Sequence, residues 1–347
     1  VEKALWSGLA KMAMMVVSGM RKRHIILLVA VCAASFLALA ICMTVAQQAK
    51  PVKVPIRGAC QTCHKVHADE WLKSAHARAW ISELFKEMSN EYEDEDCLHC
   101  HAPERLLDTG YGNEPKLRER TREGGVDCSA CHADIKGAMH GPYEIEREFH
   151  ENVKNEKLGT VEMCASCHAK FGTISEFKGS RWGKSPKGCV ECHMPKVERP
   201  IGEIPTVEKK YPVRASHVHT FRGVEDIEFV RESLKLEAAV DGDKLLVRLS
   251  SLNVGHNFPT GFNVSAALVD VSLRDGDRVL QSFKHLLSDE RPSGGKDTRL
   301  LPEETLTLHF PLDGRKGIAV VRLLYKRPKT LPDEKALELL RVEVPVK

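Results

Sequence analysis

Aromatic residues are scarce in this chain: Phe, Trp and Tyr make up 6% of 347 residues. A core filled by side chains alone draws heavily on them, so something else is expected to fill part of the interior. An excess of either charge is also missing, with 51 Lys and Arg against 48 Asp and Glu. Proteins that track phosphates carry a basic stripe, and the mixed signs exclude a nucleic-acid partner. Long apolar runs are absent except for one near the N-terminus. Cysteine, by contrast, is abundant: twelve residues, ten of them in five Cys-x-x-Cys pairs.

The apolar run extends from Ile25 to Ala46 without a charge, behind Arg21, Lys22, Arg23 and His24. It is long enough to cross a bilayer as a helix, and the basic flank places residues 1–24 on the cytoplasmic side. Thr44-Val45-Ala46 loosely matches a small-x-small cleavage site, so residues 25–46 are either an anchor or a long signal peptide. Either way the rest is exported, to the periplasmic or extracellular face of the cytoplasmic membrane. Residues 1–19 are unusual ahead of such a signal, and Met20 is a candidate start. Residues 47–57 form a stiff, Pro-containing linker.

Two textures follow. Residues 58–228 carry the cysteine pairs and show helical signals. Asp69 to Asn90, for example, puts Trp71, Leu72, Ala75, Ala79, Leu84 and Phe85 broadly on one helical face. Residues 229–347 read as strands: Leu234–Val240, Lys244–Leu252, Ser265–Leu273, Arg278–Phe283, Thr305–Phe310 and Ala319–Tyr325. Asp-Gly turns at 241–242, 275–276 and 313–314 punctuate them. The expected fold is an α-rich domain followed by a small all-β sandwich, behind an N-terminal transmembrane or signal helix.

Each cysteine pair is followed at once by histidine. The five motifs are Cys60-Gln-Thr-Cys63-His64, Cys97-Leu-His-Cys100-His101, Cys128-Ser-Ala-Cys131-His132, Cys164-Ala-Ser-Cys167-His168 and Cys189-Val-Glu-Cys192-His193. Zinc knuckles and redox dithiols also use Cys-x-x-Cys, but neither needs histidine in the fifth place. Covalent heme attachment does. Two thiols on one turn add across the heme vinyl groups, and the next residue offers its imidazole to the iron. Five covalent hemes c are therefore expected, and such apolar plates account for the missing aromatics.

The other axial position decides what each iron does. A second histidine saturates the metal and suits electron transfer, whereas an open position permits substrate chemistry. Six histidines are candidates. His76 lies on the expected helix, His140 in a Met-His-Gly-Pro loop, and His150 between motifs. His217 and His219 face one way in an extended segment. His256 projects from the Gly-His-Asn-Phe-Pro-Thr-Gly loop of the β-domain, where it would lock the domains together. His99 sits inside an attachment turn, and His67, His285 and His309 read as ordinary polar positions. Six candidates for five seats allow every heme to be bis-histidine and do not exclude one open iron.

Beyond the motifs, Trp71-x-x-Ser74-x-His76-Ala77 and Gly125-Val126-x-Cys128 carry a resemblance. Cys192-His193-Met194-Pro195 and Arg214-x-Ser-His-x-His-x-Phe221-x-Gly223 extend it. Over about residues 58–225 the chain resembles the multiheme cytochrome family that includes tetraheme cytochromes of ammonia oxidation, hydroxylamine oxidoreductase and pentaheme nitrite reductase. The resemblance implies closely stacked hemes, with His76 and His140 as distal ligands. It does not fix a reaction, because the family holds both carriers and enzymes. Pentaheme nitrite reductases commonly carry one Cys-x-x-Cys-Lys site, and none occurs here.

The leading expectation is a membrane-tethered electron carrier without a catalytic residue of its own. It would take electrons from a quinol-linked membrane donor and pass them to a downstream cytochrome or reductase. Two alternatives stay open. One is a reductase of a small nitrogen or sulfur compound at one open heme, with Tyr143, Arg147 and Lys184 available for protons and anions. The other is a homo-oligomer or filament in which a histidine of one subunit completes a heme of the next. The acidic run Glu91–Asp96 is either solvated surface or a dock for a basic redox partner.

Overall fold

The computed structural model describes residues 59–146, 149–204, 209–261 and 264–347. The expected anchor or signal at 25–46 lies outside them. Among the described residues no helix is long and apolar enough to cross a membrane. Residues Val54–Lys347 form one compact unit.

The first half is built from short helices and turns. Its helices are α1 Cys60–Cys63, α2 Lys65–Trp71, α3 Glu83–Met88, α4 Glu95–His101, α5 Leu106–Thr109, α6 Cys128–His132, α7 Val161–His168, α8 Thr173–Gly179 and α9 Val190–His193. None exceeds eight residues, so this half is less helical than its sequence pattern suggests. The continuous helix expected over Asp69–Asn90 breaks after Trp71 and restarts at α3. Ser82 causes the restart, because its side chain accepts from Phe85 N and caps a new helix. Asp94 and Asp127 cap α4 and α6 in the same way, one residue before the helix. Acidic caps thus set where two of the five attachment turns begin.

Short two-stranded pairings tie this half together. They join β1 Met139–Gly141 to β2 Asn152–Lys154, and β3 Lys196–Pro200 to β6 Val213–His217. The small pair β4 Glu203–Ile204 and β5 Lys209–Lys210 lies between β3 and β6 in sequence.

Helix α10 Ile227–Ser233 leads into the second half. Strands β7 Leu234–Asp241, β8 Lys244–Ser251, β9 Ala266–Asp275, β10 Arg278–Leu287, β11 Thr305–Pro311, β12 Gly317–Lys326 and β13 Leu337–Val346 follow. They form two antiparallel sheets, ordered β10-β9-β12-β13 and β11-β8-β7. Leu245, Val247 and Leu249 alternate inward along β8 and meet Val269, Val271, Leu273, Val321 and Leu323 of the other sheet in one core. The Asp-Gly turns fall at the expected places, with Gly242, Gly276 and Gly314 all at positive φ. The sequence pattern missed β13, whose Leu-Glu-Leu-Leu-Arg-Val-Glu-Val run carries charges on its outer face.

Candidate functional site

The ten motif cysteines are half-buried. They do not converge into tetrahedral zinc sites. Among the described residues the one grouping with metal-ligand spacing is His99, Cys100 and Glu114, which lacks a fourth donor. Thiols of different motifs do meet. Cys60 shares a side-chain hydrogen bond with Cys128, Cys100 with Cys167, and Cys164 with Cys189. Cys131 is an electrostatic neighbour of both Cys164 and Cys167. Cysteine neighbours thus join the first motif to the third, the second to the fourth and the fourth to the fifth, with the third and fourth near enough to influence one another by charge.

The imidazoles are arranged just as consistently. Nδ1 of His64 donates to Ile201 O at 2.7 Å, His101 to Ala79 O at 2.6 Å, His132 to His140 O at 2.8 Å and His193 to Arg222 O at 2.6 Å. A carbonyl on Nδ1 fixes the tautomer and leaves the Nε2 lone pair free for a metal. Burial holds His101, His132, His168 and His193 below the ordinary histidine value, so their rings stay neutral and able to ligate.

Four of these proximal rings face a second histidine. Ring centres are 6.4 Å apart for His64 and His150, 6.2 Å for His168 and His76, 6.3 Å for His132 and His219, and 6.2 Å for His193 and His256. Two imidazoles bound to one metal from opposite sides, at about 2 Å each and roughly 1 Å from nitrogen to ring centre, give about 6 Å. The donor sets therefore fit an iron between each pair. Burial drives His76 and His219 down to about 3 and His256 to about 4, which keeps these rings neutral too.

His76 owes its place to backbone packing rather than to a helix. Its carbonyl accepts from Val126 N at 3.0 Å, and Trp71 Nε1 donates to Val126 O at 2.8 Å. Gly125 lies so close that a Cβ there would sit 2.3 Å from His76 O, on a backbone with φ +57°. The Trp71…His76 and Gly125-Val126 segments thus lock into one another and present His76 to His168.

The remaining histidines are placed differently. The His140 ring is occupied on both nitrogens, by Asp134 and Asn155. Its contribution is the backbone carbonyl that holds His132, a departure from the distal position expected of it. The Gly-Pro loop turns that carbonyl, not the ring, toward His132. His217 donates from Nδ1 to Met194 O, and its own carbonyl accepts from His219 Nδ1. It therefore orients a neighbouring ligand candidate. His67 also lies 6.0 Å from His64, but its Nε2 is engaged by Ser216 Oγ at 3.0 Å. His101 stands apart. Its ring stacks on Phe85 at 3.6 Å, beside a cluster of Trp80, Leu98, Ala102 and Tyr92. Among the described residues no histidine faces it at the spacing of the other four pairs.

Three comparisons with known proteins bear on the chain as a whole. Residues 59–133 match the family model described as "Cytochrome c554 and c-prime". Cytochrome c-554 of Nitrosomonas europaea is 24% identical over 209 residues, covering 54% of this chain and 78% of that protein. A penta-heme cytochrome c552 from Thermochromatium tepidum superposes with a TM-score of 0.61 at 19% identity, covering 86% of this chain and all of that one. The chain is a multiheme c-type cytochrome. The Cys-x-x-Cys-His motifs are of the kind that attaches heme c.

Proposed function

We propose that this cytochrome is an exported pentaheme electron carrier, tethered to the membrane by residues 25–46. The linkage of all five motifs through neighbouring thiols supports this reading most strongly. Attachment points that neighbour one another would bring the prosthetic groups close together, and short gaps are what electron transfer needs. When bound, each heme supplies a one-electron iron couple. The residues supply the rest: His64 with His150, His168 with His76, His132 with His219 and His193 with His256 would each hold one iron between two imidazoles, a donor set that suits electron transfer rather than substrate binding. The fourth motif, whose cysteines neighbour those of the second and fifth, would place its heme at the junction of the set. A quinol-linked membrane donor and a downstream cytochrome or reductase are the partners this role requires.

A second reading, reduction of a small nitrogen or sulfur compound, could apply at His101. Phe85 stacks directly on that ring and an aromatic cluster lies beside it, with Arg327 and His99 neighbouring by charge only. Tyr143, a candidate donor, instead gives its hydroxyl proton to Ala215 O at 2.6 Å on β6. The carrier reading is therefore preferred. Intact mass and a heme assay should return five hemes per chain, and stopped-flow reduction should reach all five within one fast phase. Turnover of nitrite, hydroxylamine or sulfite by the reduced protein would favour the enzyme instead.

A further inference from the structure

The loop that carries His256 belongs to the β-half, yet its ring faces His193 of the heme half. Something must hold it there, and the contacts identify it. Glu176 on α8 accepts from Asn257 N and from Thr260 Oγ1, both at 3.2 Å and both to Oε2. Its Oε1 accepts from Arg299 Nη2 at 2.8 Å. Arg299 is rooted in the β-half. It pairs with Asp297 at 2.8 Å, and its side chain is only 2% exposed. Next to it, Leu300 exchanges backbone hydrogen bonds with Phe258, two residues beyond His256. On the other side Gly255 lies against α8, where a Cβ would meet the Phe177 ring at 2.9 Å. Thr173 and Thr260 add a hydroxyl contact at 2.9 Å.

We infer that Glu176, neutralised by Arg299, is the positioning residue that clamps the 255–260 loop onto α8 and so aims His256 at the iron held by His193. This rests on reading His193 and His256 as the two axial ligands of one heme. A carboxylate suits the task because it accepts two loop donors and the guanidinium at once, and Arg299 supplies the countercharge without water. Glu176 touches neither ring. It acts through the loop, and the β-half becomes a ligand-donating domain whose loop this carboxylate helps to hold in place.

The test uses full-length holoprotein with its heme content checked. His256→Ala should convert one low-spin iron completely to a high-spin signal that added imidazole reverses. Glu176→Ala and Arg299→Met should convert part of that same iron, raise its reactivity toward cyanide and shift its midpoint potential, with the other hemes unchanged. Glu176→Gln keeps one acceptor and should fall between these and the wild type. If Glu176→Ala fails to accumulate, Thr260→Val removes a single clamp contact and should still raise the imidazole response. A His256→Ala protein with an unaltered spectrum would remove the axial pairing and the clamp with it. A responsive His256→Ala beside spectrally silent Glu176→Ala and Arg299→Met would overturn the clamp alone.

Discussion

In residues 234–346 the interior is a continuous sheet-to-sheet core of Leu, Val and Phe. In residues 59–228 the buried apolar side chains are fewer, and six of them are alanine: Ala68, Ala77, Ala102, Ala130, Ala133 and Ala138. Neutral imidazoles and half-buried thiols occupy positions where the β-half places Leu and Val. The β-half therefore contains its own hydrophobic driving force, while the heme half borrows much of it from bound porphyrin. Small residues at the attachment turns leave room for a large plate, and short helices follow because each needs only to carry one motif.

This contrast can be broken most severely by withholding heme. Protein made without heme attachment should lose hydrogen-exchange protection throughout residues 59–228, while strands β8, β9 and β12 retain theirs. Equal loss in both halves would show that the β-half also depends on the cofactor.

Point changes should have smaller and distinguishable effects. Leu323→Ala, fully buried between the sheets, should cost about 2–5 kcal/mol in chemical denaturation and leave the heme spectra unchanged. Gly125→Ala puts a methyl group against His76 O on a left-handed backbone. It should cost more than about 1 kcal/mol and also disturb the spin state of the iron held by His168, because the same contact places His76.

Acid should distinguish the halves more gently. Asp289 in the β-half is held at about 2, below its ordinary 3.8, chiefly by hydrogen bonding from Arg291. A depressed carboxylate stabilises the fold fully above its ordinary value, and that contribution is lost as pH falls from about 4 toward 2. Asp289→Asn should flatten the pH dependence of β-half melting in that window. The smallest effect is expected at the exposed Glu91–Asp96 run. Neutralising Glu91, Glu93 and Glu95 should slow reduction by a basic partner several-fold at low salt and not at high salt. An unchanged low-salt rate would leave the run as solvated surface.

How much the residues alone revealed also divides along this line. The attachment sites are local, five residues each, and were legible at once. So were the Asp-Gly hairpins, because the turn chemistry is written in two letters. Distal histidines are not local. His256 could be read as a projecting ligand from its Gly- and Pro-rich loop. His76 was expected on a helix, and it sits instead in a turn held by Val126 and Gly125, far away in sequence. For His140, the sequence does not say whether a loop offers its ring or its carbonyl to a neighbour. The position of Phe85 against His101 depends on the break at Ser82, which apolar periodicity conceals.

The most direct test of the account is a count of iron spin states in the oxidised holoprotein by quantitative EPR with near-infrared magnetic circular dichroism. Four low-spin bis-histidine irons and one distinct centre, assigned to the His101 site by a Phe85→Ala perturbation, are predicted. Fewer than four bis-histidine signals would contradict the pairing of imidazoles on which the conducting path depends.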